Sequence, residues 1–194
     1  YWLGRHDEGR QLFDEVLQAN PDNFDLQMGV ANMLREVGAE SECRQHAEQA
    51  YKSAADPQQK QSAATIRAIA TDDLDEKIVW LDRADDSNGR VQALLSSARA
   101  QKAVQEGRDK EAVDLYEQSI AYYESLPESA SSLNNGALEY FSLFAVTGDR
   151  SKFDRGLEMM ERCVALDPTD SIVLYNTAVF AASGVVQAMV GDRI

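Results

Sequence analysis

The chain has 194 residues, 44% of them hydrophobic, enough for one ordinary domain or a short array with a core. Its formal charge of −14 leaves too few cations to neutralise a nucleic-acid backbone, and an acidic surface is repelled by anionic membranes. Only 4 prolines and 11 glycines interrupt a composition rich in Ala, Glu, Gln, Leu and Asp, so helices are expected and strand signals are nearly lacking.

In chain order, Tyr1 to Gly4 reads as the tail of a helix, and Arg5 to Asn20 as a second helix ending at the Pro21-Asp22-Asn23 turn. Phe24 to Val37 follows, with Leu26, Val30, Ala31 and Leu34 as its packing face; Glu40 to Ala54 returns, and Asp56-Pro57 closes the unit. Two helices joined by so short a link pack as a hairpin. The stretch from Gln58 to Asp86 is a weaker pair: its first helix offers alanines and two isoleucines, its second Ile78, Val79, Trp80 and Leu81, with Asp86-Ser87-Asn88-Gly89 as the turn.

Arg90 to Pro127 holds the next pair. Gly107 suits the positive φ at the end of its first helix, and Asp109 is expected to cap the second. There Ala112, Leu115, Tyr116, Ser119 and Tyr123 share one face. After Ser129 comes a longer helix to Gly148, then Ser151 to Leu166 with Phe153, Leu157, Met160, Cys163 and Val164 inward. Ser171 to Gly191 carries no charge and has the length of a membrane span. Asn176, Thr177, Gln187 and two serines argue instead for a helix buried on several sides. The closing Gly191 to Ile194 reads as the opening of a further helix, so the sequence is expected to be a slice of a longer array.

The Gly–Ala–Tyr–small order of Gly107, Ala112, Tyr116 and Ser119 resembles the second helix of a tetratricopeptide repeat, whose period is about 34 residues. Gly4, Gly9, Phe13, Val16 and Pro21 repeat it, with Gly9 and Val16 as the small residues, and so do Gly38, Cys43, Ala47 and Ala50. Gly4, Gly38 and Asp72 are spaced by 34 residues, and Gly107 by a further 35. Pro21, Pro57, Pro127 and Pro168 each follow a helix-like run, where proline ends an element. The segment from Leu133 to Phe141 resembles first helices of the kinesin light chain type. Between Ala137 and Gly148 lie four more residues than an ordinary repeat allows, about one extra helical turn.

This resemblance implies an all-α, right-handed solenoid of antiparallel helix pairs, about ten helices in all. The expected division is one array: residues 1–23 as the second helix of a cut repeat, 24–57, 58–89, 90–127 and 128–170 as repeats, and 171–194 as the first helix of another. Stacked hairpins of this kind form a concave groove. In the family it binds extended peptides or helices of partner proteins, often through asparagines. Asn135 and Asn176 occupy matching positions here. With Asp25, Met28, Asn32, Arg35, Ser97, Gln101, Leu138 and Tyr175 they form the candidate groove. Arg99 stands where the family places leucine. With Arg90, Lys102, Arg108 and Lys110 nearby in sequence, it is a candidate anchor for an acidic peptide. The lysine and arginine set that clamps a C-terminal carboxylate is missing from the matching positions.

No phosphate loop, HExxH helix, nucleophile elbow or oriented Cys–His pair is present, so no catalysis and no cofactor are expected. Paired carboxylates such as Asp72-Asp73 fall at turns and caps. Cys43 and Cys163 are too few and too distant for a disulfide framework; both occupy small-residue positions. Cys43 and His46 make at most half a zinc site, so no metal is expected. The expectation is therefore a protein-interaction scaffold of the cytoplasm. It would bind a protein or peptide, or associate with itself through edge helices, but neither nucleic acid nor membrane. The alternative is a structural spacer or oligomerisation array within a longer protein.

Overall fold

Ten α-helices account for the architecture of the computed structural model, which describes residues 6–84 and 89–191. They are α1 (His6–Ala19), α2 (Phe24–Glu36), α3 (Glu40–Ser53), α4 (Pro57–Ile69), α5 (Leu74–Arg83), α6 (Arg90–Gln105), α7 (Asp109–Ser125), α8 (Ala130–Thr147), α9 (Arg150–Leu166) and α10 (Ser171–Gly191). Among the described residues there is no strand. The expected readings of Tyr1 to Gly4, of the turn at Asp86, Ser87 and Asn88, and of the last three residues lie outside them.

The reason the chain turns where it does is local. In the link after α2, Gly38 has φ +73°, Ala39 N donates to Leu34 O at 2.9 Å and Gly38 N to Arg35 O at 3.1 Å. The link after α6 repeats this pattern: Gly107 has φ +71°, Arg108 N reaches Ala103 O at 2.8 Å and Gly107 N reaches Val104 O at 3.1 Å. This pair of bonds is the Schellman closure, and its left-handed residue favours glycine. Starts are equally explicit. Asn23, Asp56, Asp73 and Asp149 each accept a backbone N–H of the following helix, and Ser129 and Ser132 form a reciprocal capping box.

Two expected boundaries move. Asp109 does not cap α7; it is the first helical residue, and Arg108 holds the cap position without a side-chain bond, so the Asp109 carboxylate favours the helix through the N-terminal dipole instead. Pro57 begins α4 rather than only closing the preceding unit, because a residue without an N–H costs nothing in the first turn behind the Asp56 cap.

The residues form two compact units, 1–91 and 92–194. In the first, α2 packs on α3, α3 on α4 and α4 on α5, while α4 also touches α2. The core joins Leu17, Val30, Ala31, Leu34, Cys43, Ala47 and Ala70. Ala47, Ala50, Ala63, Ala64 and Ala68 are fully buried, which lets the helices approach closely. In α1 Leu17 is buried, with Phe13 beside it, and Val16 is exposed, against the expected register. In α5 Leu81 is buried and Ile78 and Trp80 are half-buried, but Val79 is 47% exposed, so the anticipated apolar compensation in this pair is only partly made. Part of it comes from Arg67, described below.

In the second unit, Ala100 and Ala103 of α6 pack with Ala112, Tyr116 and Ile120 of α7 and Leu143 of α8. Another cluster joins Leu133, Ala137 and Phe141 of α8 to Phe153, Met159, Met160 and Cys163 of α9 and Val173 of α10. Helix α8 has 18 residues against 13 in α2 and α4, which is the extra length anticipated. α10 departs from expectation. Val173 is buried and Phe180 stacks on Phe141 at 3.8 Å, but Ile172, Leu174, Tyr175 and Val179 are exposed, so over its described side chains, 171–182, one face of this helix is covered rather than several. Among the described residues no helix is long and apolar enough to cross a membrane.

Candidate functional site

A groove of about 340 Å³ opens in the first unit, where Met28 and Asn32 of α2 face Gln61, Ser62, Thr65, Ile66 and Ile69 of α4, with Arg90 and Val91 completing its lining. Two of the sequence-derived candidates, Met28 and Asn32, therefore come together. Asn32 Nδ2 donates to Met28 O at 3.0 Å within its own helix, which fixes the amide plane and leaves Oδ1 to accept from a ligand. Thr65 is held likewise, its hydroxyl donating to Gln61 O at 2.8 Å. Asp25 and Arg35 are exposed in the first and last turns of α2 and lie outside this lining.

The α4 residues of the groove were missed from the sequence, although the repeat itself points to them. One period of 34 residues carries Met28 onto Ser62 and Asn32 onto Ile66. The weak apolar pattern of that helix drew attention away from it.

In the second unit the remaining candidates are distributed over α6, α8 and α10. Ser97 is buried, and Gln101 Nε2 approaches its hydroxyl at 3.4 Å. Asn135 and Leu138 are half-buried on α8, and Leu138 packs against the core. Asn176 bonds between helices, its Nδ2 donating to Asn134 Oδ1 at 3.0 Å. Tyr175 is 69% exposed on the outer face of α10. Arg99 is exposed between the buried Ala98 and Ala100. Of the basic residues near it in sequence, Arg108 is tied to Glu106 and Glu111, and Arg90 belongs to the groove of the first unit.

A second cavity, of about 360 Å³, lies between α7 and α9 and includes Tyr123, Leu133 and Met159. Its charged rim is internally satisfied: Arg155 bonds Glu158 at 2.7 Å and Glu124 at 3.4 Å, and Arg162 pairs with Glu128. The thiol of Cys43 is fully buried, and His46 Nδ1 lies 2.8 Å from Gln27 Oε1. Among the described residues no group of three or more His, Cys, Asp or Glu side chains is arranged to hold a metal ion.

Sequence reading missed one further residue in this unit. Glu139 of α8 is 8% exposed and packed beside Ser97 of α6 and Ser119 of α7. Burial pushes its carboxyl up to about 7; the two serine hydroxyls act in the opposite sense, and more weakly.

Neither a protein-family model nor any curated protein matches the chain. Solved structures do. The thermophilic TPR protein TTC0263 of Thermus thermophilus aligns over 94% of this chain and 93% of its own, at 17% identity and a TM-score of 0.51. A MamA protein aligns over 81% and 84% respectively, at 16% identity and a TM-score of 0.53. Yeast Tom70 aligns over 89% of this chain and 35% of its own, at 14% identity and a TM-score of 0.50. The fold is thus a tetratricopeptide-like helical repeat, as the spacing of Gly38, Ala47 and their counterparts implies.

Proposed function

We propose that the chain is a protein-interaction scaffold that binds an extended peptide or a helix of a partner protein. The observation that supports this most directly is the groove between α2 and α4. There Met28, Ile66 and Ile69 offer an apolar floor beside the amides of Asn32 and Gln61 and the hydroxyls of Ser62 and Thr65. Apolar contacts supply affinity, while amides that both donate and accept can read a peptide backbone without demanding charge. Asn135, Leu138, Gln101 and Asn176, with the buried Ser97 beneath them, are proposed as the corresponding surface of the second unit; Asp25 and Arg35 would flank the first groove, and Arg99 and Tyr175 the second. The reading assigns no catalytic step and places the protein in the cytoplasm.

The test is selection from a displayed library of random peptides, followed by affinity measurements on the selected sequences. Met28→Glu and Ile66→Glu, shown by circular dichroism to be as helical as the parent, should weaken binding by about tenfold or more, the loss of about 1.4 kcal/mol. Selection of no peptide, or affinities indifferent to both variants, would overturn the groove.

The exposed Ile172, Leu174, Tyr175 and Val179 of α10 support a second reading, an array that associates with itself or spaces other domains. Sedimentation equilibrium decides it: a mass that rises with concentration and reverts in Leu174→Glu with Tyr175→Glu favours association, and a constant monomer mass rejects it.

A further inference from the structure

The carboxyl of Glu139 is enclosed by three helices, yet nothing cationic meets it. On α6 it faces Ser97; on α7 it faces Ser119, which is fully buried, and the buried ring of Tyr116. Tyr116 is the one titratable group sharing its field, and among the described residues no lysine, arginine or histidine of α6, α7, α9 or α10 acts on it. The Ser97 and Ser119 hydroxyls lie near enough to temper the effect of burial, but neither Ser119 Oγ nor Glu139 Oε2 has a partner at full hydrogen-bond geometry in the protein. An ionised carboxylate in such surroundings is costly, because neither an opposite charge nor a full set of donors replaces its hydration. A neutral carboxyl costs much less.

We propose that Glu139 is a proton-operated switch within the second unit. Neutral, it allows α6, α7 and α8 to close over it; ionised, it must be hydrated, and the packing of α6 against α7 and α8 loosens. The residues this moves are Ser97 and Gln101 on α6 relative to Asn135 and Leu138 on α8, so protonation regulates the part of the proposed groove that they carry. That regulatory consequence rests on the scaffold reading above; the switch itself does not.

The direction of the effect follows from linkage. The carboxyl is held up to about 7 when closed and returns to the ordinary range, near 4.5, when the helices open and water enters. At low pH both forms are neutral and the closed state is undisturbed. As pH rises from the ordinary carboxylate range the open form ionises first, so opening becomes progressively easier. The trend levels off above neutrality, where the closed form ionises as well. Between pH 6 and pH 8 the opening equilibrium should rise by about tenfold.

The experiment uses the full chain, with glutamate labelled at the carboxyl carbon and amide exchange followed in parallel. One glutamate should titrate near neutrality in the parent and be missing from Glu139→Gln. Protection factors in α6 and α8 should fall by about tenfold from pH 6 to pH 8 in the parent and stay level in the variant. Glutamates that all titrate in the ordinary range, or protection that does not depend on pH, would overturn the switch. Should Glu139→Gln misfold, the parent's own carboxyl titration still decides. Peptides selected against the chain are then bound at both pH values. Affinity that depends on pH in the parent alone supports regulation, and affinity independent of pH overturns it. Loss of peptide binding at every pH overturns the scaffold reading, while the carboxyl titration continues to test the switch.

Discussion

The guanidinium of Arg67 lies 5.3 Å from the ring centroid of Trp80, bringing α4 and α5 together through a cation where an apolar residue would be anticipated. Arg67 is 6% exposed; its Nε donates to Glu48 of α3 at 2.7 Å and its Nη2 to Glu76 of α5 at 3.1 Å. Tyr51 of α3 meets the Trp80 ring at a centroid distance of 5.3 Å. One side chain thus ties the two helices of the repeat with the fewest large apolar residues to α3 of the preceding one. Its Nη1 is buried without a protein partner, so the arrangement is not fully compensated.

Arg67→Ala should therefore lower stability by about 2–4 kcal/mol, below the upper end for breaking a buried pair because Glu48 and Glu76 can recover water. Arg67→Met, which keeps the stem's packing and discards the unpaired Nη1, should cost much less. Chemical denaturation of the two variants separates the contributions. Equal destabilisation would mean that charge, not volume, holds the three helices.

Two helical glycines should respond differently to the same change. A Cβ on Gly156 would stand 2.7 to 3.0 Å from three atoms of the Phe141 ring. That ring is fixed by Phe180, stacked at 3.8 Å, and by Phe153 at 5.3 Å, so it has nowhere to retreat. At Gly136 the obstruction is the terminal methyl of Met159 at 2.6 Å, on a side chain that can swing aside. Alanine gains about 1 kcal/mol over glycine in a helix. Gly156→Ala should still lose about 1–2 kcal/mol to overpacking, while Gly136→Ala should be near neutral. Melting temperatures that place the two variants in the reverse order would contradict this packing of α8 on α9.

These sites mark where the sequence is legible. Helix ends are encoded by neighbours: Gly38 and Gly107 supply the left-handed backbone, and Asn23, Asp73 and Asp149 supply the caps. The small residues Cys43, Ala47 and Ala112 are buried at the repeat spacing. Hydropathy reads a charged residue as solvent-facing, so Arg67 and Glu139 stayed hidden; only tertiary neighbours show that each lies inside. The groove was half visible for a related reason. Met28 and Asn32 sit on a helix with a clear apolar stripe, whereas Ser62 and Ile66 sit on α4, whose alanine-rich face gives little contrast. The exposure of one side of α10 depends on what packs there, which its uncharged sequence does not record.

The two cysteines should be inert in the folded chain. Both are fully buried, and burial pushes both thiols up, with Arg35, Arg44 and Arg67 acting in the opposite sense at Cys43. The Cys163 thiol also donates to Ala130 O at 3.0 Å. A thiolate-selective reagent at pH 8 should label neither residue before unfolding and both in guanidinium chloride. A thiol that reacts at once in the native chain would show that its helix pair opens far more readily than this packing implies.

Ala112 tests the repeat register itself. It is fully buried in α7, among Ala100 and Ala103 of α6, Tyr116 of its own helix and Leu143 of α8. Three helices converge on a methyl group, and α7 can approach α6 only because all three alanines are small. Leucine there adds three carbons where no free volume exists, at about 1–3 kcal/mol. For a chain of this length each kcal/mol shifts the melting temperature by about 2–4 °C. Ala112→Leu should thus melt several degrees lower, while Gln118→Leu, on the exposed face of the same helix, should leave the melt within about 0.5 kcal/mol of the parent. Similar melts for the two leucine variants would place the close approach of α6 and α7 elsewhere, and with it the register that puts Ala112 in the same position as Cys43.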